Sequence, residues 1–409
     1  MPVVRFNDGV EASGVRALSP APPQEAVAEI IEAVRNGGDA AVVDFERRFG
    51  AGIEMLEPVS TADFDAAVNA IDADLVGALK LAIANVRSVA EAQLHESASV
   101  TLPEGQSVEY RQIPVHRAGV YVPGGRGSYP STAIMAITTA LVAGVDEVAV
   151  VSPVRENGSV DPAVLTVCRL LGVSEIYPIG GAQAIAALAL GTGTIKPVDV
   201  IVGPGNAYVQ EAKRQLYGTI GIDSVAGPSE LVVVADGSAD PVAVAADLMA
   251  QGEHGPDSLV ALIATDQDLL DDVAIRCAEI PAEMALIKST DLYAGVALAN
   301  EIAPEHLQII ATGDIEEELA SIVKNAGCLF LGDNAATAFG DYVAGSNHVL
   351  PTGGSARFAS ALSVHTFRRR MATVRVPDAA VNELADAGAR IARAEGFEWH
   401  AKSMEVRKK

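Results

Sequence analysis

A chain of 409 residues, 49% hydrophobic and 20% charged, is long enough for two or three cores and too apolar to be disordered. Its 53 acidic and 29 basic residues give a net charge of −24, which argues against nucleic acid or an anionic membrane as partner. No apolar run reaches the ~18 residues that span a bilayer, and Met-Pro-Val-Val-Arg-Phe-Asn-Asp at the N-terminus has no signal-peptide core, so a cytoplasmic location is expected.

Residues 1–110 read as a helical N-terminal arm, with helical spacing over 26–35 and 61–94. Such an arm is expected to wrap a neighbour or a second domain. From there the texture changes. Apolar β-rich runs at 119–122, 147–154, 175–179 and 199–202 alternate with helical stretches at 134–143, 162–171, 183–190 and 207–216. That alternation predicts βαβ units and a mostly parallel, doubly wound sheet over 111–230. The pattern then restarts over 231–376. Strands are predicted at 231–235, 259–264, 284–288, 307–311 and 328–331, with helices at 242–249, 269–279, 292–300 and 315–323. Residues 377–409 start with a helix and end in a short tail. The repetition raises an internal duplication as a hypothesis.

Three Gly-rich turns follow strands in the first of these domains: Tyr121-Val-Pro-Gly-Gly-Arg-Gly127, Gly180-Gly-Ala-Gln183 and Gly203-Pro-Gly-Asn206. Either they form a nucleotide crevice, because Gly lets the backbone approach phosphate closely, or they are simply tight turns. The third Gly of a dinucleotide fingerprint is missing, and no Walker-type loop is present. The expected fold class is therefore α/β: two incomplete Rossmann-like doubly wound domains, a helical N-terminal arm and a small C-terminal tail domain.

Four of the seven histidines sit beside acids or amides in otherwise apolar sequence. Imidazole, carboxylate and amide together are the ligand set of a nitrogen/oxygen zinc site and the cast for proton transfer near neutral pH. Gln251 and His254 stand three apart at a predicted helix end, before the stop signal Gly255-Pro256, which puts both on one face. A helix-capping His beside a surface Gln explains that pair equally well. Glu305-His306 directly precedes a strand, so at least one of the two is expected in a cleft or in solvent. A Glu to activate water and a His to take an alcohol proton would suit oxidation; a solvated strand entry is the plain alternative. Asp341 to His348 has a loop composition, and Glu395 and His400 stand beside the only tryptophan, Trp399, which points to docking onto its own core or a partner subunit. Cys168, Cys277 and Cys328 form no pair motif and read as buried reduced thiols. Arg368-Arg369-Arg370 reads as a solvated face, and His95, His116 and His365 as structural.

Taken together, these residues resemble the histidinol dehydrogenase family over nearly the whole chain. The resemblance is carried by Gly119-Val-Tyr-Val-Pro-Gly-Gly125, Gly180-Gly-Ala-Gln-Ala-Ile185, Gly203-Pro-Gly-Asn-Ala-Tyr208, Ala226-Gly-Pro-Ser-Glu230, Gln251-Gly-Glu-His-Gly-Pro-Asp-Ser258, Ala303-Pro-Glu-His-Leu307 and Gly340-Asp-Tyr-Val-Ala-Gly-Ser-Asn-His-Val-Leu-Pro-Thr352. It implies a zinc-dependent, NAD-linked enzyme that oxidises L-histidinol to L-histidine in two steps through the aldehyde. It implies Gln251, His254, Asp341 and His400 as zinc ligands that also face the substrate, Glu305 as the water-activating residue and His306 as the general base. Ser229, His306, His348 and Glu395 would contact substrate, and Tyr121, Gln183 and Asn206 the cofactor. Residues 111–230 would then take the cofactor, and 231–376 would carry the metal and catalytic residues. The family is a homodimer with shared active sites, so residues 377–409 would reach the partner subunit, and Glu395 and His400 would act in trans. Two alternatives stand beside it: a related zinc/NAD dehydrogenase of a sulfonated diol such as dihydroxypropanesulfonate, for which Arg126 would be the added cation, and a non-catalytic zinc-stabilised binding protein, which would have no need of Glu305-His306.

Overall fold

The computed structural model of the protein describes residues 3–6, 10–15, 22–50, 52–95, 97–124, 127–155 and 158–409. Two compact units emerge: Met1–Gln93 with Val115–Phe367, and Leu94–Pro114 with Arg368–Lys409. The chain opens with β1 (Val3–Phe6), a single turn α1 (Ala12–Val15) and three longer helices, α2 (Gln24–Phe49), α3 (Thr61–Ala70) and α4 (Ala73–Ala92). Two strands of the second unit follow, β2 (Ala98–Thr101) and β3 (Ser107–Pro114).

The first large sheet is built from β4 (Arg117–Tyr121), α5 (Pro130–Ala143), β5 (Glu147–Val151), α6 (Pro162–Leu171), β6 (Ile176–Tyr177), α7 (Gly181–Leu190), β7 (Val200–Val202), α8 (Ala207–Leu216) and β8 (Gly221–Ile222). All its pairings are parallel, in the order β6-β5-β4-β7-β8. The chain then repeats the plan with β9 (Glu230–Ala235), α9 (Pro241–Gly252), β10 (Leu259–Ala264), α10 (Gln267–Arg276), β11 (Met284–Lys288), α11 (Leu292–Ile302), β12 (His306–Ile310), α12 (Ile315–Ile322) and β13 (Cys328–Leu331). This sheet runs β1-β11-β10-β9-β12-β13, again all parallel. Leaving β1 aside, the two sheets share one order: the first strand of each lies between its second and its fourth. That is the doubly wound arrangement, with a switch point between β4 and β7 and another between β9 and β12. After β13 come α13 (Thr337–Tyr342), β14 (Arg368–Arg375), α14 (Asp378–Ala394) and α15 (Glu398–Glu405).

Both faces of each parallel sheet are covered, so the strands read as continuous apolar runs rather than alternating ones. Ala118, Val120 and Val122 pack on one side of β4 with Phe64, Leu79, Val86, Ile134 and Ile137, while Tyr121 joins Val27, Ile31, Ile185 and Ile201 on the other. The helices begin where the sequence supplies caps. Asp161 and Asp240 each accept an N–H of the first turn, and Pro162 and Pro241 follow at N1.

Residues 1–110 depart from the expected helical arm in three ways. β1 completes the six-stranded sheet, and β3 pairs antiparallel with both β2 and β14. The helices α2, α3 and α4 cover the five-stranded sheet of their own unit, with Phe64, Leu79 and Val86 in its core. Helix α2 also runs well past residue 35, because Gly38 takes φ 54° and ψ −134° and kinks the helix instead of ending it. The boundaries 1–110, 111–230, 231–376 and 377–409 therefore differ from the contact units, which join 94–114 to 368–409 through the β2-β3-β14 sheet. Arg368, Arg369 and Arg370 lie in β14, where Arg369 and Arg370 are exposed, as expected of a solvated face, and Arg368 is half-buried. Cys168 and Cys277 are buried free thiols; Cys328 is only half-buried. Among the described residues, no helix is long and apolar enough to cross a membrane.

Candidate active site

Two clusters of the predicted residues form within the first unit. One gathers at the carboxyl ends of the five-stranded sheet. Tyr121 ends β4 and is buried, and its hydroxyl accepts the Gly181 N–H at 3.1 Å. Burial, the main influence, pushes the Tyr121 phenol up to about 12. Gln183, in the first turn of α7, is buried, and its Nε2 donates to Glu46 Oε1 at 2.9 Å. The same Glu46 oxygen accepts the Gly180 N–H at 2.8 Å. Asn206 caps α8: its Oδ1 accepts from Tyr208 N at 3.0 Å and Val209 N at 3.1 Å, which leaves the amide N–H groups for another partner.

These contacts revise the view of the Gly-rich turns as phosphate cradles. The N-terminus of α7 is already occupied by the Glu46 carboxyl group and that of α8 by Asn206 itself, so neither offers the open anion site of a regular dinucleotide fold. Gly203 is required for close approach rather than for phosphate. It sits at φ +117°, and a Cβ there would stand 2.1 Å from the Tyr121 carbonyl oxygen. Gly125 and Arg126 lie outside the described residues.

The second cluster is at the amino ends of β9 and β12. Helix α11 stops at Ala303, the one non-glycine with positive φ (51°) among the described residues, and Pro304 and Glu305 then lead into β12. Glu305 Oε2 accepts the Glu230 N–H at 2.8 Å, and Glu230 Oε2 accepts the Glu305 N–H at 3.2 Å. Glu305 and His306 are both buried beside this reciprocal pair, at 7% and 4% exposure, so neither stands in open solvent. Glu305 escapes the alternation because it precedes the strand. His306 Nδ1 lies 3.0 Å from the Glu230 carbonyl oxygen. A carbonyl only accepts, so Nδ1 carries hydrogen and Nε2 faces Asp341 Oδ1 at 3.4 Å.

Burial drives the Glu305 carboxyl up to about 7, only partly offset by His306 and the Glu230 N–H. Burial alone would lower His306, but Asp341 and Glu305 outweigh it and raise the imidazole. Asp341 stays low: His306, His348 and His254 together overcome its burial. His348 is lowered, chiefly by burial, and its Nδ1 lies 2.8 Å from the Asp341 carbonyl oxygen. On its far side His348 Nε2 is 3.4 Å from Thr132 Oγ1 of α5, which brings the first sheet's helices to this cluster.

Asp341 stands on α13, not in a loop, and α13 packs against α9. Helix α9 ends at Gly252, so Gln251 is helical while His254 lies in the turn beyond, its N–H bonded to the Gln251 carbonyl at 3.3 Å. The two residues therefore do not share a helix, contrary to what their spacing predicted. Gln251 is buried, yet its Nε2 has no hydrogen-bond partner. An amide with an unpartnered buried end can present its oxygen there to a cation, which is what a zinc ligand needs. Among the described residues, no three His, Cys, Asp or Glu side chains come together as a ligand group. Ser229 is half-buried directly before Glu230, and Leu259 N donates to its carbonyl at 3.0 Å. Glu395 and His400 belong to the second unit, where both are exposed and His400 lies 5.2 Å from the Phe397 ring. Trp399 is 80% exposed under Lys402 and so does not dock into its own unit's core.

Sequence reasoning passed over Glu46 and Glu230. Glu230 was legible in part, as a carboxylate opening an apolar strand; Glu46 carried no local signal in a helix rich in charges.

The sequence model of the histidinol dehydrogenase family matches residues 17–408. Among curated proteins, the chain is 42% identical to histidinol dehydrogenase of Synechococcus sp., over 94% of this chain and 92% of that protein. It is 44% identical to that of Rhizobium meliloti, over 93% and 91%. The crystal structure of histidinol dehydrogenase from Elizabethkingia anophelis superposes with a TM-score of 0.94 at 30% identity, covering 99% of this chain and 98% of that one.

Proposed function

We propose a function from the premise that the chain belongs to the histidinol dehydrogenase family. It is an oxidoreductase that oxidises histidinol in histidine biosynthesis. In the finer reading, L-histidinol loses four electrons in two steps through histidinaldehyde. NAD, one per step, would supply the hydride acceptor when bound. Zinc would be held by Gln251, His254, Asp341 and His400 and would supply a fixed anchor for the amino alcohol; the orphaned Gln251 amide supports that ligand set.

The chain's own residues do the rest. With Asp341 engaged as a zinc ligand rather than with His306, His306 would take the alcohol proton at Nε2 while the Glu230 carbonyl holds Nδ1 in one tautomer. Glu305 takes a proton from the water that adds to the aldehyde carbon, and burial keeps it a basic enough carboxylate to do so near neutral pH. The resulting diol loses the second hydride and leaves the carboxylate. Ser229 and His348 contact substrate, while Tyr121, Gln183 and Asn206 hold NAD. Glu395 and His400 reach the site of the partner subunit in a homodimer. The enzyme works in the cytoplasm without nucleic acid or membrane.

The single observation that carries the mechanism is the buried Glu230–Glu305–His306–Asp341 array, which aligns a water-activating carboxylate with an oriented imidazole. The sulfonated-diol alternative rested on Arg126, and the family relatives do not favour it. The test is the stoichiometry of zinc-loaded protein. Two NADH per histidinol with histidine as product, lost on chelation, is the expected result. One NADH with aldehyde accumulating would remove Glu305's assigned step, and none would remove the substrate.

A further inference from the structure

We propose that Glu46 is a positioning residue that fixes the orientation of the Gln183 side-chain amide for the nicotinamide cofactor. The inference rests on the proposed role of Gln183 as a cofactor contact.

Glu46 comes from α2, far from α7 in sequence, and is 1% exposed. A carboxyl group buried to that degree is costly unless its hydrogen bonds are specific. One of them is a helix cap: Gly180, the N-cap of α7, has no side chain of its own, and Glu46 Oε1 accepts its N–H at 2.8 Å. A cap needs nothing more. Yet the same oxygen also accepts from Gln183 Nε2 at 2.9 Å.

That second bond decides which way the amide faces. The two ends of a glutamine amide are nearly equal in shape but opposite in hydrogen-bonding sense. A carboxylate only accepts, so it selects the amide nitrogen and turns the carbonyl oxygen away from itself. The oxygen is held on the Gly181 side of the turn, where a Cβ on Gly181 would stand 2.7 Å from it. The Tyr121 hydroxyl lies against the same turn, accepting the Gly181 N–H at 3.1 Å. Glu46 thus sets one acceptor, Gln183 Oε1, on the Gly181 turn to which the Tyr121 hydroxyl is also bonded, at the carboxyl edge of the sheet. A ligand carrying a carboxamide donor, as nicotinamide does, meets a defined acceptor rather than a freely flipping group.

The experiment is equilibrium titration of NAD by calorimetry into the full-length, zinc-loaded protein with no alcohol present, accompanied by KM values for NAD and histidinol. E46D keeps the charge but draws the carboxylate back by one methylene; E46Q keeps the reach and an acceptor oxygen but removes the charge. We expect E46D to weaken NAD binding about tenfold, the size of one lost oriented hydrogen bond, and E46Q to change it less than about threefold. The histidinol KM should stay the same in both. E46A serves as a second variant lacking the bond should E46D not fold, as judged by circular dichroism.

NAD affinity unchanged in E46D and E46A overturns the proposal. So does a larger loss in E46Q than in E46D, which would assign the effect to charge, and so does a parallel rise in both KM values, which would make Glu46 merely structural. Q183L separates the premise from the inference. If Q183L binds NAD like the parent, the assigned role of Gln183 fails; if Q183L is weakened and E46D is not, only the role of Glu46 fails.

Discussion

At the scale of single residues, Glu46 also gives a pH signature that is independent of catalysis. Burial, the largest influence, raises its carboxyl above the ordinary 4.5, and the bonds from Gly180 and Gln183 offset this only in part. A raised carboxyl binds its proton more tightly in the folded than in the unfolded chain. Its favourable contribution is therefore complete below about 4.5 and is lost as pH rises through the folded value. E46Q, which never ionises, should gain on the parent as pH rises. Its melting temperature relative to the parent should increase by a few degrees between pH 4.5 and pH 8. Melts in matched buffers decide it: a difference that stays flat with pH would mean that burial is not disfavouring the ionised form. The contrast with the histidine islands explains what could be read in advance. Gln251, His254, Glu305, His306 and Asp341 stand out because each is polar within an apolar run. Glu46 sits in Asp44-Phe-Glu-Arg-Arg48, where one more acid on a helix looks like a solvated face. Only the packing of α2 on α7 distinguishes it.

At the scale of elements, strands and helices with strong local punctuation were legible. The runs 259–264, 284–288 and 328–331 match β10, β11 and β13, and 162–171 and 207–216 match α6 and α8. Each helix of that pair is opened by its own cap, Asp161 or Asn206. The strands β2, β3 and β14 were not legible, because their residues are mostly exposed or half-buried and β3 pairs with β14 across more than 250 residues. The loop between β7 and α8 depends on a pairing much nearer in sequence. Gly203 donates its N–H to Asp223 at 2.7 Å, and its carbonyl accepts from Lys213 Nζ at 3.1 Å. Lys213 and Asp223 are themselves ion-paired, with side chains 0% and 4% exposed. Removing one partner leaves the other charge buried and alone, so Lys213→Met or Asp223→Leu should each cost about 3–5 kcal/mol. The double replacement should cost clearly less than the two added, since no charge is then stranded. Denaturant melts of the four proteins would show this. Additive losses would mean that the two side chains hold Gly203 independently rather than as a pair.

At the scale of the whole molecule, one strand order is used twice and to opposite effect. In the first sheet, Tyr121 and Gln183 gather at the carboxyl ends of the strands, where a doubly wound sheet normally takes its ligand. In the second, Glu305 and His306 sit at the amino end of β12. The two sheets share that order although these residues lie at opposite ends of their strands. The chain also carries a net charge of −24. Histidinol carries an ammonium group, whereas NAD is anionic, so a field of this sign should concentrate the first and not the second. Added salt shortens the reach of that field from roughly 20 Å near 20 mM to below 10 Å by 0.2 M. Over that range kcat/KM for histidinol should fall about two- to fivefold, while the KM for NAD should hold steady or drop. Steady-state rates at fixed pH and zinc, with sodium chloride as the only variable, test it directly. A flat response for histidinol would confine recognition of the cation to groups in the site itself, and a parallel loss for both ligands would point to salt acting on the fold.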